Sequence, residues 1–152
     1  MSAEQELKDL GITLPPAPEP AGVYVPAVRA GDLVFVAGQL PMEHGELRFI
    51  GRLGDGLDVE EGYEAARLCA LNSLSVLRGE CGSLDGVRRI VRVCGYVRSA
   101  AGFTDQSKVL NGASELMNDV FGDRGRHARL ALGTNELPLG APVELEVIAE
   151  AV

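Results

Sequence analysis

Between Asp58 and Gly122 the apolar residues change their period twice, which commits the chain to a mixture of helix and sheet. Over Val59–Arg78, Tyr63, Ala66, Ala70, Leu74 and Leu77 recur every three or four residues, the spacing that lines up side chains on one helical face. Asp58 stands where an N-cap belongs, and Gly79 lies near the C-terminal end. The segment Arg89–Val97 then alternates, with Val91, Val93, Gly95 and Val97 on one face and Ile90, Arg92, Cys94 and Tyr96 on the other, as a strand does. A second stripe of Val109, Ala113, Leu116, Met117 and Val120 predicts a helix over Asp105–Phe121, ended by Gly122.

The flanks supply the remaining elements. Leu33–Ala37 and Leu47–Ile50, separated by a turn from Pro41 to Gly45, read as a hairpin, and Ala128–Gly133 and Val143–Ala149 as two final strands. Residues 4–10 can form a short helix, after which Pro15, Pro16, Pro18 and Pro20 force an extended course. Residues 1–20 are therefore expected to be an arm and residues 21–152 a single domain. Each long helix joins strands, so both can pack on the same face of the sheet. The expected fold class is α+β, a mixed β-sheet backed by two helices on one face. On Arg89–Val97 both faces carry large apolar residues, Val91, Val93 and Val97 against Ile90 and Tyr96, so the face that the helices leave uncovered is apolar as well, and a sheet face of that kind is buried by self-association in closed symmetry.

Charge and motif content exclude several functions. Twenty-two acidic residues against 14 basic ones give a net charge of −8, which repels phosphate backbones and anionic lipid alike. No nucleic-acid or membrane partner is expected, and no apolar run reaches the roughly 18 residues of a membrane helix. Cys69, Cys81 and Cys94 are odd in number and lack zinc-ligand spacing, so they read as reduced core thiols. The acidic N-terminus does not resemble a signal peptide, and the expected location is the cytoplasm. The phosphate-loop, dinucleotide, nucleophile-elbow and zinc-protease motifs are all missing, and the only histidines are His44 and His127.

The last quarter holds the residues that could carry chemistry. Arg129 sits in the small and apolar strand Ala128–Gly133, where a guanidinium needs solvent or an anionic partner. Glu144 and Glu146 share one face of the final strand, opposite Val143, Leu145 and Val147. If both strands lie in one sheet, Arg129 and a carboxylate could line one pocket; the alternative is a solvated or paired charged face.

Six segments in register resemble a known family. Gly22-Val23-Tyr24-Val25, Val36-Ala37-Gly38-Gln39-Leu40-Pro41, Ala70-Leu71-Asn72, Asn111-Gly112-Ala113, His127-Ala128-Arg129 and Leu137-Pro138 through Val143-Glu144-Leu145-Glu146 occur in the order of the RidA/YjgF family. These are the reactive-intermediate imine deaminases, also called endoribonuclease L-PSP or chorismate mutase-like proteins. The likeness runs from about Ala21 to Val152, and the length and Pro-rich arm are similar to the family's longer branch.

The resemblance implies the chorismate mutase-like YjgF/L-PSP fold, a homotrimer with clefts between subunits, and hydrolysis of small 2-imino acids such as 2-iminobutanoate and 2-iminopropanoate to 2-keto acids and ammonia, with no metal or cofactor. By resemblance Arg129 holds the substrate carboxylate, Glu144 orients water, the backbones of Gly38 and Ala131 contact ligand, Tyr24 forms an aromatic wall, and Asn111 lies at the cleft edge. The chain departs from the family at Ala37, Leu130 and Ala131, which replace polar or thiol residues, and at His127, which replaces a proline. The same cleft could therefore serve a non-catalytic module that binds a 2-keto acid; ribonuclease activity is a third reading.

Overall fold

The structure, a computed structural model, describes residues 1–152. In chain order the elements are α1 (Ala3–Asp9), β1 (Ala27–Ala30), β2 (Leu33–Gln39), the two-residue strands β3 (Met42–Glu43), β4 (Glu46–Leu47), β5 (Arg52–Leu53) and β6 (Gly56–Leu57), α2 (Val59–Cys81), β7 (Val87–Arg98), α3 (Gln106–Phe121), β8 (Ala128–Thr134) and β9 (Val143–Ala151). One five-stranded sheet runs β1-β2-β9-β7-β8. Only the β7–β8 pair is parallel, so the sheet is mixed as expected.

Helix α2 starts where local chemistry says it should. The Asp58 side chain accepts from Glu61 N–H at 2.8 Å while Glu61 reaches back to Asp58 N–H at 3.3 Å, so two otherwise unpaired amide groups are satisfied reciprocally. The helix runs past Gly79 and ends at Gly82, whose φ of 77° is the left-handed conformation that glycine adopts freely. Both long helices lie on one face of the sheet. They approach each other at Gly112, where a Cβ would overlap the Tyr63 carbonyl, and α3 meets the sheet at Gly95, where a Cβ would fall inside Leu110.

Two expectations need correction. The hairpin is made by β1 and β2 about a turn at Gly31 and Asp32, not by Leu33–Ala37 with Leu47–Ile50. In the latter segment only Leu47 is in a strand, paired with Met42, and Ile50 is exposed. The faces of β7 are also redistributed. Its register against β9 shifts between Ile90 and Arg92, so Ile90 and Val93 both pack into the core. One extra residue in a strand reverses the alternation beyond it. The short helix expected over residues 4–10 is present as α1, docked on the body by the buried Ala3 and Leu7 and by Glu4, which pairs with Arg78 at 2.6 Å, and the extended stretch follows it.

The face of the sheet away from the helices carries Val28, Leu33, Phe35, Leu130 and Leu132, all exposed. No helix is long and apolar enough to cross a membrane.

Candidate functional site

Arg129 points to the helix side of the sheet. It is paired in register with Val93 and lies over one polar stripe of α3. Its Nη1 donates to Asn111 Oδ1 at 2.9 Å and to Ser114 Oγ at 3.1 Å, and its Nη2 to the Ser107 carbonyl at 3.3 Å. Ser107, Asn111 and Ser114 are spaced four and three residues apart, which places them on one helical face. A guanidinium has five N–H donors. Three are used here, leaving Nε–H and one Nη2–H, the edge that accepts a carboxylate in two parallel bonds. Arg129 is half-buried, yet no carboxylate of the chain lies within 4.0 Å of it.

A histidine stands behind this arrangement. The His127 Nδ1 lies 2.6 Å from the Gly125 carbonyl, which can only accept, so the proton sits on Nδ1 and leaves Nε2 as an acceptor. Nε2 lies 2.9 Å from Ser114 Oγ, which therefore donates to it while accepting from Arg129. Burial is the main influence on the imidazole and lowers its pKa; the Gly125 bond opposes this and the Arg129 charge adds to it.

Glu144 belongs to the opposite face. It is paired in register with Tyr96, three residues along β7 from Val93 with no register shift between. Its carboxylate leans against Gly38, where a Cβ would come within 2.5 Å of Oε1. Burial first, and then the Glu146 charge, raise its pKa above the ordinary carboxylate value. Gly38 sits in a bulge of β2, where the register against β9 slips between Val36 and Gln39. Gly38 and Tyr24 share the wall of a pocket of about 840 Å³ beneath the arm, with Pro15, Pro16, Leu68, Leu71 and Asn72 among its other lining residues. Asn72 is buried and donates to the Leu40 and Met42 carbonyls at 3.1 and 2.9 Å, which fixes the chain just after the bulge.

The expected site residues thus form two groups. Arg129, Asn111 and Ala131 lie on the helix side at the edge strand β8; Glu144, Gly38 and Tyr24 lie around the other side, near β2 and β9. Both strands are in one sheet, but Arg129 and Glu144 do not line one pocket of this chain. Ser107, Ser114 and His127 were not among the expected site residues. No group of three or more His, Cys, Asp or Glu side chains is arranged to hold a metal ion.

Comparison with known proteins gives the family. Residues 4–151 match the family described as "YjgF/chorismate_mutase-like, putative endoribonuclease". The chain belongs to this family. It is 46% identical over 145 residues to Protein TCP17 of Trypanosoma cruzi, covering 95% of this chain and 91% of that protein. A RutC family protein of Aquifex aeolicus is 30% identical over 91% of this chain and 96% of its own length. The crystal structure of Atu1372 from Agrobacterium tumefaciens, a protein of unknown function, superposes with a TM-score of 0.92 at 42% identity, covering 99% of this chain and 92% of that one. Membership accounts for the mixed sheet with two helices on one face, and the fold expected from the sequence is the YjgF fold.

Proposed function

We propose that the protein hydrolyses small 2-imino acids to 2-keto acids and ammonia, in clefts that form between the subunits of a homotrimer. The observation that carries this reading is Arg129: a half-buried guanidinium with no carboxylate partner, aimed by three groups of α3, with one two-donor edge unused. What distinguishes Arg129 from the other arginines without a carboxylate partner is that groups of α3 hold it with this edge free, the geometry that receives a carboxylate.

The chemistry asks little more of the protein. The imine carbon beside a carboxylate is electrophilic, so catalysis consists of holding the carboxylate and placing a water on that carbon. Glu144 takes a proton from the water as the C–O bond forms, giving a carbinolamine. With the imine nitrogen protonated at the outset, return of that proton makes it a leaving ammonium group, and the C–N bond breaks as the hydroxyl gives its own proton to Glu144 and becomes the carbonyl, so that imino acid and water become keto acid and ammonia. A carboxyl whose pKa is raised by burial is suited to this exchange, because both its forms are accessible nearer neutral pH.

Assembly closes the gap between the two halves. Arg129 is on an edge strand and Glu144 on the opposite face, so a complete cleft takes Arg129 from one protomer and Glu144 from its neighbour. The exposed Val28, Leu33, Phe35, Leu130 and Leu132 supply an apolar face to be covered in the process. Light scattering at micromolar concentration should give three times 16.1 kDa. A monomer that retains full ligand binding would overturn both the assembly and the shared cleft.

A second reading has its own support. Ala37 and Ala131 bring no polar side chain to the site, and the exposed Leu130 faces away from Arg129. The cleft could then hold a 2-keto acid without turning over an imine. Imino acids generated by an amino-acid oxidase in the presence of semicarbazide separate the two: a deaminase competes with the trap, and a silent binder leaves semicarbazone formation unchanged while still binding 2-ketobutyrate. Ribonuclease activity is the weakest reading, because the net charge of −8 opposes a polyanion.

A further inference from the structure

We infer that His127, acting through Ser114 on the Arg129 guanidinium, couples the binding of a carboxylate to proton uptake. The inference rests on the reading of Arg129 as the carboxylate-binding group and adds a linkage that this reading does not contain. Four groups form one chain: Gly125 carbonyl, His127 imidazole, Ser114 hydroxyl and Arg129 guanidinium, joined at 2.6, 2.9 and 3.1 Å. With Nδ1 bound to a carbonyl, the only nitrogen of His127 that can gain a proton is Nε2, the one facing Ser114 and, beyond it, Arg129.

Protonation there does not break the brace. Nε2–H becomes a donor to Ser114 Oγ, and the hydroxyl, with two lone pairs, can accept from both Nε2 and Arg129 Nη1. What changes is charge: a second cation now stands one hydroxyl away from the guanidinium. In the free protein burial disfavours the charged imidazole, and repulsion between the two cations adds to that. A carboxylate on the free Nε/Nη2 edge offsets the guanidinium charge and removes that penalty, so the bound state holds the proton more tightly.

The surroundings leave this linkage undisturbed. Charged side chains on the adjoining elements are Asp123, Arg124 and Arg126 on the turn before β8, Arg88, Arg89, Arg92 and Arg98 on β7, and Lys108, Glu115 and Asp119 on α3. Arg89 donates to the Arg126 carbonyl at 3.3 Å. Arg124 is engaged by the Val87 and Met1 carbonyls, and Glu115 by the Tyr63 hydroxyl. Among charged side chains, Arg129 alone contributes to the shift of the imidazole.

The sign follows from linkage. His127 begins below its ordinary value because of burial and Arg129, and the carboxylate raises it. The extra affinity is complete below the pKa of the free protein and is lost as pH rises through that of the complex. The expected effect is roughly three- to tenfold tighter binding at acid pH than at alkaline pH.

The test uses 2-ketobutyrate, whose carboxylate stays ionised from pH 8 to pH 5. Calorimetric titration of the full chain across that range should show binding tightening on acidification, and imidazole NMR should show the His127 pKa rising at saturation. The pH dependence should vanish in His127→Gln and survive in Glu144→Gln, which separates His127 from the other group expected to titrate near the ligand. An unmoved His127 pKa, or a pH dependence that persists in His127→Gln, overturns the inference. Proton-linked binding without imine turnover would overturn the proposed hydrolysis and leave the linkage standing; no binding at any pH would overturn both.

Discussion

Replacing Gly38 by alanine should cost catalysis while sparing the fold. An added Cβ would stand 2.5 Å from Glu144 Oε1 and 3.2 Å from its carboxyl carbon. Ordinary contact begins near 3.4 Å, so the carboxylate must retreat by about 1 Å, and it can, because it is the tip of a flexible side chain. Gly38 has no positive φ, so alanine meets no backbone strain, and reduced freedom of the unfolded chain favours the variant by about 0.4–1 kcal/mol. Stability by urea unfolding should therefore stay within about 1 kcal/mol of the parent. A displacement of that size in a group that places the attacking water can cost on the order of 10²-fold in rate. Semicarbazide-trap kinetics should show this loss in kcat, with 2-ketobutyrate binding changed far less. Parental turnover in Gly38→Ala would refute the placement of water by Glu144, and a loss of several kcal/mol in stability would refute the claim that the clash is relieved by the side chain.

Arg129→Ala should lose imine hydrolysis and 2-ketobutyrate binding together, each by about 10²-fold or more, since one interaction anchors both ligands; Arg129→Lys should fail as well, because an ammonium cannot reproduce the two-donor edge. Retained turnover in either variant would remove Arg129 from the site. Glu144→Gln should lower turnover much more than keto-acid binding, as measured by the trap assay and calorimetry side by side, whereas equal losses would make Glu144 a binding group only. Gly95→Ala should destabilise by about 1–3 kcal/mol in denaturant titrations, because the new methyl collides with buried Leu110 where α3 rests on the sheet.

What could be read from the sequence was local. The Asp58 cap and the two apolar stripes announce α2 and α3 because helix signals lie within a few residues of one another. Strand β1 escaped because Ala27–Ala30 is an exposed edge strand with no alternation of burial to betray it, while Leu47–Ile50 looked like a strand only by composition. The faces of β7 were misjudged because the shift between Ile90 and Arg92 depends on the partner strand, which periodicity within β7 does not register. Arg129 and Glu144 were legible as unusual residues, but their opposite faces follow from the β7–β8 and β7–β9 registers. Ser107, Asn111 and Ser114 do form a visible polar stripe beside the apolar one on α3. Nothing in the sequence says which strand that stripe meets, and the pairing of Ser114 with His127, 13 residues apart, is a product of the fold alone.

The separation of Arg129 and Glu144 onto opposite faces bears on inheritance as well as on catalysis. Under the proposed assembly, a subunit lacking Arg129 still offers an intact Glu144 side, and one lacking Glu144 still offers an intact Arg129. Two alleles that are each inactive alone would then complement when co-expressed, because mixed trimers contain junctions where the sound half of one meets the sound half of the other. Conversely, a subunit that has lost both halves would spoil two junctions of every trimer it enters, and would act as a partial dominant over the parental copy.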